Sequence, residues 1–244
     1  MQSVDHQLYL AESHRIPKLS MSRYIQYFNI NVKPFLEQCM VEHTIQGYEV
    51  YRFRLTAEKR GEFDSWNFLL LLQVESKSVA EQYVKLKQQL TGFPKEIEVR
   101  SELMISTPQS NYPTPPPQHV QRRAFKPFFA VEYVDVQAPY LDEFRHIMIH
   151  NNGPAMRNIL EHKKWCYMMI ALETLEVWHH HDAFPTWNQI HIIGLYPEAM
   201  LHYKKDFEEG LQQHAGVTFQ ENFDRLKSIR TMLYKTIASR LFPT

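Results

Sequence analysis

The sequence lacks several features that would assign it to a familiar class of protein. It has only two cysteines, Cys39 and Cys166, and both lie in apolar or amphipathic segments without a CxxC pairing. Cysteines placed in this way are typical of buried free thiols in a reducing compartment. The chain also has no GxSxG, P-loop, GxGxxG or HExxH motif, so the common hydrolase, nucleotide-binding and zinc-protease signatures are absent.

An excess of one charge and long apolar runs are missing as well. Lys plus Arg and Asp plus Glu both number 27, which gives a formal net charge of zero. A general nucleic-acid-binding surface normally shows a basic excess, so we predict no nucleic-acid partner. No apolar run approaches the roughly 20 residues of a membrane span, and residues 1–20 do not show a basic-then-apolar signal pattern. These features predict a soluble, cytoplasmic protein with no membrane span.

The composition that remains, 44% hydrophobic and 22% charged, is that of a globular chain able to bury a core. Residues 1–21 show no clean period and are interpreted as an N-terminal extension. Ser22–Val32 alternates aromatic and β-branched residues, which predicts a strand. The rest of residues 22–106 completes a β-α-β-β-α-β unit. Its predicted elements are a helix from Pro34 to Gln46, a strand over Tyr48–Leu55, a strand after Trp66, a helix capped by Ser76 or Ser78, and a strand in EIEVRSELMIS.

A second pattern follows a proline-rich segment. Residues 107–126 contain five prolines, which favour an extended linker, although a ligand for a proline-reading domain is an alternative. Residues 127–216 then give a strand, a helix, two strands and a helix. The apolar stripe of residues 217–244 predicts a C-terminal helix in place of a fourth strand. Gly153-Pro154 interrupts the first helix of this unit and predicts a kink or a lid-like loop.

Two phrases occur once in each unit. FDSWNFLLLL (63–72) resembles FPTWNQIHII (184–193), and KPFLEQC (33–39) shares a Pro-aromatic-Leu-acid spacing with APYLDEF (138–144). Two matches in the same order indicate an internal duplication. Trp66 and Trp187 are expected to pack in the core or at its rim.

These segments resemble the dimeric α+β barrel superfamily, whose units are ferredoxin-like, and in particular its NIPSNAP-like tandem arrangement. The resemblance is carried by WNFLLLLQVES followed by the helix KSVAEQYVKLKQQL, and by ELMISTPQSNYP. It implies an α+β fold of two tandem ferredoxin-like units with antiparallel sheets, pairing within one chain or between chains, and a cleft between helices and sheet. Family members include cofactor-free monooxygenases, haem-related enzymes, isomerases and proteins of unknown role.

Candidate chemistry is concentrated in histidine. His179, His181 and Asp182 could form a metal site, although a solvated hairpin turn is the alternative. His191 alternates with isoleucines on its predicted strand and could transfer a proton or ligate haem, with His146 as a second candidate. A hydrogen-bonded structural role is the alternative for His191.

Arginines and tryptophans are the candidates for substrate binding. Arg52 and Arg54 could bind a carboxylate or form solvated cross-strand ion pairs, and Trp66 and Trp187 complete the candidate set. The sequence thus predicts a small-molecule-binding protein, monooxygenase-like or haem-related, with an apolar or aromatic ligand and no cofactor assigned. The alternative is a non-catalytic binding or self-assembly protein, and whether the chain is an enzyme stays open.

Overall fold

The structure, a computed structural model, describes residues 1–60, 66–115 and 126–241. Its first half contains strand β1 (Leu8–Arg15), helices α1 (Met21–Tyr27) and α2 (Lys33–Val41), strands β2 (Gly47–Lys59) and β3 (Phe68–Val74), helix α3 (Lys77–Lys87) and strand β4 (Glu98–Ser106). This is the predicted β-α-β-β-α-β order, and the strands and helix after residue 47 are confirmed.

The second half repeats that order. It contains strand β5 (Phe128–Val136), helices α4 (Leu141–Ile147) and α5 (Gly153–His162), strands β6 (Cys166–His179) and β7 (Gln189–Leu195), helices α6 (Ala199–Ala215) and α7 (Phe219–Ile229), and strand β8 (Arg230–Leu241).

The eight strands form one closed antiparallel barrel within a single chain. Their order around the barrel is β1-β3-β2-β8-β5-β7-β6-β4, and β4 pairs with β1 to close it. Each half contributes four adjacent strands, and the halves join where β2 pairs with β8 and β4 pairs with β6. The pairing between the two halves is therefore intramolecular.

Apolar side chains fill three spaces. One cluster, with Tyr9, Phe53 and Met104, fills the barrel interior. A second packs the helices of the first half on the outer face of its strands, with Tyr24, Phe68 and Tyr83, and a third does the same in the second half, with Phe144, Met169 and Phe207. Alternation along each strand sends one set of side chains inward and the next outward to the helices. The helix–sheet layers are thus packed rather than open, in contrast to the predicted cleft.

The repeated Trp-Asn phrase has the same structural role in both halves. The Asn67 amide accepts a hydrogen bond from the Ile16 N–H at 3.0 Å and donates one to the Ile16 carbonyl at 2.7 Å. Asn188 makes the same pair of bonds to Val136, at 2.9 and 2.8 Å. Each asparagine therefore binds the backbone N–H and C=O of one residue at the end of a first strand. That residue is Ile16, just after β1, in the first half and Val136, the last residue of β5, in the second half.

The predicted strand at Ser22–Val32 is wrong, because this segment is helical. The buried side chains are those of Tyr24, Tyr27, Phe28 and Val32, while Ile30 is exposed. Burial therefore recurs with the period of an α-helix, 3.6 residues, rather than the two-residue period of a strand. The first strand is instead β1, which lies inside the predicted N-terminal extension.

A π-helical turn joins the two helices at the start of each half, at Phe28–Val32 and at Met148–Asn152. Each turn precedes a proline, Pro34 or Pro154, which has no N–H to continue an α-helical ladder. These prolines are the equivalent pair, so the alignment of KPFLEQC with APYLDEF is wrong.

The predicted lid-like loop at Gly153-Pro154 is also wrong, since α5 begins there. A Cβ atom at Gly153 would lie 2.1 Å from the Gln109 carbonyl oxygen, so only glycine permits this close approach. The start of the predicted linker is therefore packed against the helix. Tyr112 forms a β-bridge with Met169 and is fully buried. Residues 116–125 of that segment lie outside the described residues.

The predicted C-terminal helix is correct only to Ile229. Residues 230–241 form β8, which occupies the position of the missing fourth strand between β2 and β5. Apolar residues four positions apart suggested a helical stripe, but the same spacing fits the two-residue alternation of a strand. This segment forms a strand because it pairs with β2 on one edge and with β5 on the other. Among the described residues, no helix is both long and apolar enough to cross a membrane.

Asn67 and Asn188 are called the asparagine clamps below, because each binds both backbone groups of one residue. Replacement of either asparagine should destabilise the fold. Asn67→Ala or Asn188→Ala leaves a buried N–H and C=O without partners, which costs about 1–3 kcal/mol of unfolding free energy. Urea unfolding measures the loss. Asn31→Ala is the control, because Asn31 donates one 3.2 Å bond within its own helix. An equal loss of stability in Asn31→Ala would contradict the interpretation that the paired backbone bonds of Asn67 and Asn188 stabilise the fold.

Candidate functional site

The candidate site lies in the helix–sheet layer of the second half, around His191. Ile190 and Ile192 belong to the barrel interior, so His191 and Gln189 point the other way, towards the helices. The ring of His191 is 3% exposed and stacks on Phe144 of α4, with 6.1 Å between ring centroids and 3° between planes. This side chain is therefore a buried imidazole.

Strand register places a carboxylate and an ammonium beside it. Glu132 of β5 pairs with His191 on one side and with Lys235 of β8 on the other. The Glu132 carboxylate lies 2.6 Å from Lys235 Nζ and 3.7 Å from His191 Nδ1. Burial alone would raise the pKa of Glu132, but Lys235 and His191 outweigh it and hold the pKa well below its usual range. Glu132 is thus an ionised buried carboxylate.

The same environment keeps His191 neutral. Burial lowers the pKa of His191, and the opposing attraction of Glu132 does not compensate. A neutral imidazole beside a carboxylate can accept a proton or a hydrogen bond from a bound molecule.

Three buried polar atoms of this layer have no hydrogen-bond partner among the described residues. They are His191 Nε2 and both amide atoms of Gln189, a side chain with no exposed surface. Buried polar groups in folded proteins nearly always have a partner, which can be an ordered water or a ligand.

The first half contains a related cluster that the sequence analysis missed. Glu12, the fifth residue of β1 as Glu132 is of β5, forms a buried ion pair with Lys87. His14 Nε2 lies 3.6 Å from Glu12, and its Nδ1 is 2.6 Å from the Tyr24 hydroxyl. Burial raises the pKa of Glu12, yet Lys87 and His14 lower it further, to about 2. The available signal was a glutamate and a histidine inside the apolar segment LYLAESHR.

His146 does not join this site. It is exposed on α4 and its ring lies 4.4 Å from that of His150, on the solvent side of the helix. His146, the second histidine candidate for proton transfer, therefore lies apart from His191.

Trp66 and Trp187 lie inside the barrel, edge to face, with centroids 5.5 Å apart. Trp187 Nε1 donates to Glu102 at 2.7 Å, and the Arg100 guanidinium lies 4.1 Å from the Trp187 ring. Arg100 and Glu102 form a buried ion pair at 2.9 Å. The two tryptophans are core residues here and do not reach the helix–sheet layer.

Arg54 is the sequence candidate that lines an open pocket. This pocket lies at one end of the barrel, beside Arg15 and Lys18, and has a volume of about 330 Å³. Arg52 is the neighbouring half-buried guanidinium on β2; burial and Arg54 lower its pKa. Neither arginine is near His191.

His179, His181 and Asp182 are all exposed. Within the described ranges, no group of three or more His, Cys, Asp or Glu side chains is arranged to hold a metal ion. The predicted metal set is therefore not assembled in this structure.

The residues around His191 do not fit haem. Phe144 covers one face of the imidazole, and the layer between α4 and the sheet is occupied by buried side chains. A porphyrin is a large macrocycle and would have to displace most of these buried side chains, not the Phe144 contact alone.

Comparison with known proteins adds to this geometry at the level of the fold. No protein-family model and no curated protein matches the sequence. Among solved structures, a tryptophan-to-valine mutant of chlorite dismutase from Candidatus Nitrospira defluvii aligns at a TM-score of 0.51 and 12% identity, over 99% of this chain and 93% of that one. A proposed monooxygenase from Fusobacterium nucleatum aligns at 0.51 and 10% identity, over 97% and 94%. This chain has the dimeric α+β barrel fold. At these identities the likeness extends to the fold alone.

The buried histidine should make stability depend on pH. Unfolded His191 binds a proton as the pH falls below about 6.5, whereas the folded side chain resists it, so the unfolded state gains stability. The free energy of unfolding should fall by up to about 1.4 kcal/mol per pH unit for this one group. Urea unfolding between about pH 7 and pH 5 should show a smaller slope in His191→Gln. Exposed His146→Gln should keep the wild-type slope; an unchanged slope in His191→Gln would contradict the assignment.

Proposed function

We propose that this protein binds a small molecule between the sheet and the helices of its second half. The observation that carries the proposal is the set of buried polar atoms without partners, on Gln189 and His191, beside the Glu132–Lys235 ion pair. A bound molecule with a hydrogen-bonding edge would satisfy these atoms and remove the cost of leaving them unpaired.

The surroundings of these atoms suit a small apolar or aromatic ligand. Phe144 stacks on His191, and the adjoining cluster is apolar. In the proposal the ligand takes the place of Phe144 beside His191, and α4 moves outward at the π-helical turn that follows it. Turns of this kind are frequent at functional sites. The neutral imidazole of His191 then accepts a proton or hydrogen bond from the ligand, and Glu132 stabilises any positive charge that develops.

The comparisons support a small-molecule function without assigning a reaction. Chlorite dismutase and the proposed monooxygenase carry the names of enzymes that act on small molecules. A monooxygenase-like activity on an aromatic substrate is therefore the reaction class that the proposal favours, with no cofactor assigned.

The proposal includes an internal duplication of a ferredoxin-like unit, arranged in tandem as in NIPSNAP-like proteins. Support comes from the shared element order, the same strand order in each half, the two π-helical turns and the two asparagine clamps. In this view the units run from Leu8 to Ser106 and from Phe128 to Leu241.

Native mass spectrometry of the purified protein tests the binding site. We expect an excess mass from a bound small organic molecule, and we expect Gln189→Leu to lose it because the ligand loses its hydrogen-bonding partner. Exposed Gln220→Leu is the matched control and should keep the excess mass. An apo wild-type protein together with a more stable Gln189→Leu variant would show that the layer is purely structural.

Self-association without catalysis is the second candidate function. The packed helix–sheet layers support it, as do Met200 and Leu201, adjacent on α6 and 85% and 83% exposed. Exposed apolar side chains of this kind occur at contact surfaces between proteins.

Light scattering after gel filtration tests this second candidate. We expect wild-type oligomers to dissociate at least tenfold more readily in the Met200→Ser, Leu201→Ser double variant, because the contact loses apolar area. Lys205→Ser, an exposed change on the same helix, is the control. A monomeric wild-type protein at high concentration would exclude the candidate.

A further inference from the structure

The pocket at the end of the barrel is separate from the layer around His191. It lies where the end of β1 meets the middle of β2 and β8, and its volume is about 330 Å³. This is at the lower end of the range for small-molecule sites.

The charges in this pocket have one sign. Arg15, Lys18 and Arg54 line it, and among the residues that the structure describes its lining contains no Asp or Glu. Since the whole chain has a formal net charge of zero, this local concentration does not reflect a general basic excess. Arg15 Nη2 lies 3.9 Å from a carboxylate oxygen of Glu98, whereas Lys18 and Arg54 have no carboxylate beside them in the described lining, which favours an anion there.

The two exposed cations are available to a ligand. Arg54 donates through Nε to Ser239 Oγ at 2.9 Å, which fixes the direction of its guanidinium. Its Nη groups have no other hydrogen bond among the residues the structure describes, and a guanidinium can bind an oxyanion through two parallel bonds. Lys18 is exposed and forms no ion pair within the described ranges.

The floor of the pocket is apolar, and its polar groups are already satisfied. Ile16, Phe53 and Tyr234 are buried side chains of the lining. Tyr234 donates its hydroxyl to the Trp66 carbonyl at 3.0 Å, and Asn67 is held by its two bonds to Ile16. A ligand would therefore meet cations at the mouth and carbon surface below them.

From this arrangement we infer a second binding site, for a small organic oxyanion with an apolar or aromatic body, the size of a one-ring carboxylate. Arg54 and Lys18 bind the oxyanion, and Phe53 and Tyr234 contact the body. The inference is independent of the function proposed for the layer around His191.

Titration followed by amide NMR tests this site with three probes. Benzoate has both the charge and the ring, benzamide has the ring alone, and inorganic phosphate has the charge alone. Benzoate should shift the amide signals of Thr56, Asn67 and Thr236, with weaker or no effects from the other two probes. Arg54→Gln should weaken benzoate binding at least tenfold, and Lys18→Gln should weaken it in the same direction.

Arg157→Gln is the matched control, since Arg157 is an exposed arginine on α5 whose loss changes the net charge equally. It should bind benzoate as the wild type does. Absence of benzoate binding, equal weakening in Arg157→Gln, or phosphate binding as tight as that of benzoate would each overturn the inference. None of these outcomes depends on Gln189 or His191, so failure here is distinct from failure of the proposed function.

Discussion

The buried ion pair of Arg100 and Glu102 joins the two halves inside the barrel, and the arrangement of the other elements depends on it. Both residues lie on β4 and are almost fully buried. Glu102 accepts hydrogen bonds from Thr174 at 2.8 Å and from Trp187 at 2.7 Å, both in the second half. Arg100 donates to the Trp187 carbonyl at 2.6 Å. Each member of this pair is hydrogen-bonded to the second half, so removal of either one would leave the other charge buried and uncompensated where the halves meet.

Because this network and its aromatic neighbours fill the barrel, the interior cannot hold a ligand without losing its core. Binding is confined to the outer helix–sheet layers and to the ends of the barrel. The two layers then differ in a way that distinguishes their chemistry. In the first half Tyr24 satisfies one nitrogen of His14, whereas in the second half Phe144 stands against His191 and offers no hydrogen bond. Among the described residues, His14 Nε2 and the Tyr83 hydroxyl lack a partner in the first layer, and His191 Nε2 and both amide atoms of Gln189 lack one in the second.

The sequence predicted the strands with long apolar runs, and it also predicted β4 and β5 although they contain the buried charges of Arg100, Glu102 and Glu132. β3 and β7 were visible because both of their faces are apolar or nearly so. β1 was missed because Glu12 and His14 interrupt its apolar pattern, and β8 was missed because apolar residues four positions apart fit a helix as well as a strand. His191 was found from its alternation with isoleucines. Glu132 and Lys235 could not be linked to it, because strand register between β7, β5 and β8 sets these contacts.

The buried carboxylates of Glu12 and Glu132 carry a cost in the free energy of folding. A buried carboxylate costs several kcal/mol in desolvation even when paired, and an apolar replacement of similar volume is often equally stable. Stability alone therefore does not require Glu12–Lys87 in one layer and Glu132–Lys235 in the other. Each pair stands next to a histidine that burial keeps neutral, in a layer where apolar packing was available on every side. An element that breaks its own folding pattern to hold a carboxylate beside an imidazole is expected where chemistry or recognition imposes the sequence. Function is therefore expected in the outer layers, and most of all in the second, where the amide of Gln189 lacks a hydrogen-bond partner beside His191 among the described residues.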